Sequence, residues 1–224
     1  MTVSAIHSKL GEGIYSIADI AFLLHLPKQK VRRWLNDFWN SRLAEKYKQA
    51  YSWGEGRAQA TNFYTLIEFY VFYTLRESGV SQNKIFEAHE EMAKQLKTVY
   101  PFASAQLLTD GKSILYKLED GTTLNADKTR QIALRQIIEA FCKKIEFSGN
   151  NLAQKYYPLG KNKPIVVDPH HQFGQPVIEK TNVLAETIYN MYGAGESKEF
   201  ISRLYNISLN EVRAAIDLFN KNAA

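Results

Sequence analysis

Cysteine is nearly absent from this 224-residue chain, Cys142 being its only one. A single thiol cannot make an intrachain disulfide, and a cysteine-based zinc site needs several thiolates. Long apolar runs are missing too. No stretch of about eighteen apolar residues occurs, so no membrane-spanning helix is expected. The opening "MTVSAIHSKLGEGIYS" has no apolar core of the kind a secretory leader requires. Phosphate-loop, dinucleotide-binding and His-Glu-x-x-His patterns do not occur. These absences lead us to expect a cytoplasmic protein with no membrane association, no cofactor, no metal and no enzymatic activity.

What is present is enough apolar and aromatic residue to build two or three compact units. The formal charge is +5, and its distribution matters more than its size. Residues 1–60 carry nine Lys/Arg against five Asp/Glu, residues 61–160 twelve against eleven, and residues 161–224 seven against seven. The positive excess therefore sits in the first segment. A local basic excess is the footprint of a phosphate-binding module, although solvated helix faces share it.

The basic residues cluster in "LHLPKQKVRRWLNDF". Upstream, Ser16 and Asp19 form a helix-start signal, followed by Ile17, Ile20, Ala21 and Leu24 at helical spacing. Pro27 interrupts that helix and opens a second one, expected to run to about Phe38. Val31, Trp34, Leu35 and Phe38 make its apolar face. Lys28, Gln29, Lys30, Arg32 and Arg33 are the candidate DNA-binding residues, because arginine pairs bidentately with guanine and glutamine with adenine. Which of them would reach a base and which a phosphate stays open. An ordinary helical hairpin with a solvated basic face is the alternative reading. Gly54 and Gly56 mark a turn flanked by short strands, with Arg57 at its tip as a further candidate for DNA.

The segment "NFYTLIEFYVFYTLRESGV" is a helix apolar on nearly every side, either wholly buried or partly in a subunit interface. A helix from Ser81 to about Leu96 follows. Two strands around Asp110-Gly111 and a helix over "ADKTRQIALRQIIEAFCKKIEF" come next. "SGNNLAQKYYPLGKNKP" has the composition of a linker. Beyond it lie a strand at Ile165–Val167 and three short helices near 183–192, 197–204 and from Ser208. The last opens on a Ser208-x-x-Glu211 capping box. The expected fold is mainly α with small β-hairpins (α+β). Its segments are 1–100 (winged helix-turn-helix), 101–160 (hairpin and connecting helix) and 161–224 (three-helix, helix-turn-helix-like domain).

The residues "YSIADIAFLLHLPKQKVRRWLNDF", a glycine-containing wing and "YTLIEFYVFYTLRESGVSQNKIFEAHEEM" resemble the MerR-type winged helix-turn-helix over about the first hundred positions. "VDP", "GQPVI", "GAGES" and "ISLNEVRAAI" resemble domain-of-unknown-function family 433. There, Lys180-Thr181-Asn182 stands where that family has Gly-Thr-Arg, and Phe173-Gly174 where it has Gly-Gly. The order of the two parts resembles the larger VapB-type antitoxins. That resemblance implies an autorepressor binding double-stranded DNA at its own operator, with a PIN-type ribonuclease toxin as partner. A homodimer is expected because operators of such modules are two-fold related. Toxin contacts are expected in the exposed "DPHHQFGQPVIEKTNV", at His171, Phe173 and Thr181. A protein-interaction scaffold that no longer binds DNA is the alternative. His170-His171 beside Asp168 is not expected to hold a metal, since adjacent histidines usually point apart and the ligand set would need converging partners from elsewhere. Cys142 is assigned to packing.

Overall fold

The computed structural model of the chain describes residues 12–105, 141, 143–149 and 151–220. The expected Asp-Gly hairpin, most of the helix after it and Cys142 lie outside these. Packing groups the chain differently from the sequence-order division. One compact unit combines residues 1–63 with 155–224, and the other is residues 64–154. The elements belong to the mainly helical α+β class, with small sheets of two or three strands.

In the first unit, strand β1 (Tyr15–Ser16) leads into helix α1 (Ile17–Leu24). Ser16 Oγ accepts the Asp19 N–H at 3.1 Å, and Asp19 Oδ2 accepts the Ser16 N–H at 2.8 Å. This reciprocal cap satisfies two of the N–H groups that a helix start leaves unpaired. α1 stops at His25, which adopts the left-handed conformation (φ 54°). Leu26 N–H then reaches back to Ala21 O at 2.9 Å. Helix α2 (Lys28–Trp34) starts after Pro27. It does not end near Phe38 as its polar "NDFWNSR" implies. The helix continues with π-type hydrogen bonding through Leu35–Leu43 and closes as α3 (Ala44–Tyr47). Leu35, Trp39 and Leu43 are buried along this extension and carry the apolar stripe onward.

Strands β2 (Ser52–Trp53) and β3 (Ala60–Thr61) form the expected glycine-containing wing. β3 lies between β1 and β2, antiparallel to both, with Tyr15 and Ser52 both opposite Thr61. Gly54 is required in the turn: its φ is 72°, and a Cβ there would stand 2.4 Å from Ala58 O.

The rest of the unit is the C-terminal part. Strands β6 (Ile165–Val166) and β7 (Val177–Ile178) pair antiparallel, and helices α6 (Ala185–Gly193), α7 (Lys198–Tyr205) and α8 (Leu209–Asn220) pack over Ile188, Ile201, Val212, Ala215 and Leu218. Each fully buried Ile, Val or Leu among these contributes about 1.5–3 kcal/mol. The linker-like stretch is ordered instead. Tyr156 and Tyr157 are buried, and Tyr156 exchanges backbone hydrogen bonds with Val167 at 2.9 and 2.8 Å.

In the second unit, helix α4 (Phe63–Glu77) is followed by helix α5 (Gln82–Leu96), which Ser81 caps. Leu66, Ile67, Phe69, Phe72 and Leu75 are all buried within the chain, so the over-apolar helix needs no second subunit to cover these positions. The buried Glu68 carboxylate is satisfied from both sides. Its Oε2 lies 2.7 Å from His89 Nε2 and its Oε1 accepts the Phe102 N–H at 2.8 Å, as a polar group buried in the core requires. Strands β4 (Ile145–Phe147) and β5 (Ala153–Tyr156) pair where the chain passes from one unit to the other.

Candidate functional site

The site residues expected for nucleic acid fall on two pieces of the first unit. Lys28, Gln29, Arg32 and Arg33 are exposed on α2, because Val31 and Trp34 take the buried face of the same turns. Lys30 differs from its neighbours. It is half-buried, with its Nζ 4.9 Å from the centre of the Trp34 ring, so its charge is spent partly on a cation–π contact beside the helix. Arg57 is exposed in the turn Gly56–Ala58 at the tip of the wing.

A polar cluster joins these pieces. Asn40 Nδ2 donates to Ser52 Oγ at 2.8 Å, and Gln59 Nε2 donates to Asn36 Oδ1 at 3.1 Å and to Ser52 Oγ at 3.3 Å. The helical extension and both wing strands are thereby held in one register, and Arg57 is carried at a fixed place relative to α2. The sequence alone does not mark Asn36, Asn40, Ser52 and Gln59 as a cluster. Their partners lie up to 23 residues away, and no local pattern signals such a pairing.

The expected partner-binding residues lie in the loop between β6 and α6. His171 and Thr181 are brought together: His171 Nε2 is 3.0 Å from Thr181 O. The Thr181 hydroxyl donates to Ile178 O at 2.9 Å and accepts the Val183 N–H at 3.1 Å, so it closes the turn that follows β7. Phe173 stands apart from both, 72 % exposed. Its φ is 55° and that of Lys180 is 64°. These are the two positions where a glycine was expected from the family pattern. A side chain in the left-handed region costs about 1–2 kcal/mol, and the loop accepts this three times, at Gln172 (φ 48°) as well as at these two. His170 remains exposed, its backbone N–H donating to Asp168 Oδ1 at 2.9 Å. Among the described residues no three His, Cys, Asp or Glu side chains converge as metal ligands.

A second exposed apolar area is carried by the C-terminal helices. Tyr192, Phe200 and Leu204 are 41, 40 and 55 % exposed, although α7 buries Ile201 on its other side. Phe200 and Leu204 are one helical turn apart and share a face.

The loop and the helix-turn-helix segment are also stitched to each other. Ile14 N–H donates to Phe173 O at 3.1 Å. The Phe22 ring of α1 lies 4.7 Å from Phe219 of α8, which stacks in turn on Tyr189 at 4.7 Å. Tyr15 is fully buried, and Gly174 (φ 83°) sits so close to its phenol that a Cβ there would fall 2.1 Å from the oxygen. Burial raises the Tyr15 pKa well above the ordinary phenol value, and the carboxylates of Asp168 and Asp19 push it the same way.

Comparison with known proteins follows this division. The family model described as "Protein of unknown function (DUF433)" matches residues 165–218, the strand pair and three helices of the C-terminal part. A protein named "Putative antitoxin VapB45" from Mycobacterium tuberculosis is 24 % identical over 167 residues, covering 69 % of this chain and 70 % of its own. The X-ray crystal structure of Rv2018 from Mycobacterium tuberculosis superimposes with a TM-score of 0.71 at 20 % identity, over 91 % of this chain and 96 % of that one, and so shares the fold. The chain thus carries a DUF433 domain at residues 165–218, within a fold that the Rv2018 structure shares.

Proposed function

We propose that this chain is an antitoxin-like, DNA-binding transcriptional autorepressor, a homodimer that neutralises a PIN-type ribonuclease toxin. The observation that carries the DNA-binding half is the exposed set Lys28, Gln29, Arg32 and Arg33 on one helix face, with Arg57 on a wing tied to that helix by hydrogen bonds. The MerR-like reading of this part rests on the sequence motif together with that helix-turn-helix and wing arrangement. In this reading α2 enters the major groove and the wing lies on the adjacent backbone. Arg32 and Arg33 supply base or phosphate contacts, and Lys30 orients the face through Trp34.

The antitoxin half is supported by the name of the relative in Mycobacterium tuberculosis and by the DUF433 match. The toxin engages the C-terminal part. Phe173 is the apolar contact of its loop, while His171 and Thr181 shape that loop. Tyr192, Phe200 and Leu204 offer the second patch. A scaffold without DNA binding is the competing reading, and these exposed apolar residues are the observation that favours it.

The test is fluorescence anisotropy of the full-length protein with DNA from upstream of its own gene, from about 50 to 200 mM salt. The proposal expects saturable binding whose logarithm falls linearly with the logarithm of salt concentration. Absence of binding at low salt removes the DNA-binding half. Co-purification with the product of the neighbouring gene tests the other half separately.

A further inference from the structure

Asn36 stands just past α2, one helical turn beyond Arg32 and Arg33 and two turns beyond Gln29, and like them it is exposed. It extends the face on which the DNA-binding candidates lie, yet it carries no charge and the proposed function gives it no contact with DNA. The two ends of its amide differ in what they can still bind. Oδ1 accepts from Gln59 Nε2 at 3.1 Å and from Asn40 Nδ2 at 3.4 Å. Nδ2 makes no hydrogen bond among the described residues.

An amide oxygen has two lone pairs, so two donors leave Oδ1 no further capacity to accept. Both donors are themselves held, since Ser52 Oγ accepts from Gln59 Nε2 at 3.3 Å and from Asn40 Nδ2 at 2.8 Å. Turning the Asn36 amide over would set its NH2 against two other NH2 groups, so its neighbours fix which end faces outward. An asparagine with both ends available pairs bidentately with adenine, its oxygen taking the N6 amino group and its nitrogen meeting N7. Asn36 has lost the oxygen half of that pairing, and what remains is a pair of N–H donors. In the major groove, guanine (O6 and N7) and thymine (O4) present acceptors and no amino group, whereas adenine and cytosine each present an amino group. A donor with no acceptor beside it fits the first two bases and meets another donor on the second two.

Building on the DNA-binding reading, we propose that Asn36 is a base-reading residue that selects guanine or thymine over adenine or cytosine at one position of the bound DNA. Gln59 is the positioning residue that sets this polarity. The wing strand thereby takes part in sequence selection through a side chain of the neighbouring helix, apart from any phosphate contact made by Arg57.

The test uses the full-length protein and a pool of duplexes in which each base pair of the DNA upstream of its own gene is varied in turn, with the bound and unbound fractions sequenced. Asn36→Ala should erase a preference for guanine or thymine of about fivefold at one position, the worth of roughly one hydrogen bond, and leave the preferences elsewhere as they were. Gln59→Glu is the sharper variant. A carboxylate there cannot donate to Oδ1, so the amide turns over, its oxygen faces outward, and the preference at that same position should reverse toward adenine or cytosine. The added charge repels the phosphates of every duplex alike, so it lowers affinity without changing the ratio of bases at one position. Both side chains sit at the surface or half-buried, and the circular dichroism spectra should stay unchanged. Sequence-selective binding with no position altered by Asn36→Ala overturns the proposal and leaves the DNA-binding reading standing. So does a loss spread evenly over all positions, which marks a bracing role alone. A parent preference for adenine or cytosine at the affected position, or one that Gln59→Glu leaves unchanged, overturns the assigned polarity. A parent protein that binds no duplex removes the DNA-binding reading and this inference with it.

Discussion

Two helix–turn–helix segments sit in the same unit and share one backbone plan. In the first, α1 is capped reciprocally by Ser16 and Asp19, stops at left-handed His25, and returns Leu26 N–H to Ala21 O at 2.9 Å. In the second, α7 stops at left-handed Asn206 and returns Ile207 N–H to Ser202 O at 3.1 Å. A Ser208–Glu211 capping box then opens α8, with Ser208 N–H donating to Glu211 Oε2 at 2.6 Å. In both, the residue after the left-handed one is a buried aliphatic, Leu26 or Ile207, as the Schellman ending favours. The surfaces differ. The first presents Lys28, Gln29, Arg32 and Arg33. The second has charges in balance and presents Phe200 and Leu204. One local folding device presents two kinds of surface through the residues left facing out, which is why fold alone does not assign function.

The sharpest way to break this contrast is to remove the charge from the first segment. Arg32→Ala with Arg33→Ala should weaken binding to upstream DNA by a hundredfold or more, at about 1–3 kcal/mol per lost base contact. Each lost phosphate contact should instead flatten the salt dependence by about one unit of slope. Unchanged anisotropy titrations would show that this helix does not read DNA. The matching change on the second segment is Phe200→Glu with Leu204→Glu. It should lower affinity for the toxin or the second copy by about 2 kcal/mol or more while leaving DNA binding intact. Sedimentation and pull-down read the effect. Since both side chains are exposed, thermal stability should move by no more than about 0.5 kcal/mol.

Two smaller effects test the shared plan itself. Ser16→Ala and Ser208→Ala should each cost about 1 kcal/mol in denaturant unfolding, because each removes one reciprocal cap. A large difference between the two would show that one helix start is held by packing alone. Smallest is Tyr15→Phe, which removes a buried hydroxyl that has no partner among the described residues. It should leave the protein as stable as before or more stable by about 1 kcal/mol. A loss of that size would mean that the hydroxyl is satisfied in solution.

The local pieces of this fold are legible in the sequence. Ser16 with Asp19, Ser208 with Glu211 and the Gly54 turn are each written within a few residues, and each appears where the pattern places it. The helix extension to Tyr47 is not, because a polar run reads as an ending while Trp39 and Leu43 keep the buried stripe going. The linker-like stretch misleads by composition: Tyr156 and Tyr157 are core residues among prolines, glycines and lysines. Of the candidate site, the basic face of α2 follows from periodicity. The bracing of the wing by Asn36, Asn40, Ser52 and Gln59 does not, nor does the seating of Tyr15 against Gly174. Contacts between residues far apart in the chain leave no period to detect.

That last contact has a temporal consequence. The unit that carries the basic helix is made of residues 1–63 and 155–224, so residues 64–154 are synthesised between its two halves. At roughly 5–20 residues per second, the N-terminal half waits on the order of ten seconds on the ribosome before the residues that cover Phe22 and Tyr15 exist. Until then Phe22 lacks Phe219 and Tyr15 lacks Gly174. A chain cut short anywhere before residue 155 therefore never completes this unit, and the basic helix is then carried on a fragment whose apolar residues stay uncovered.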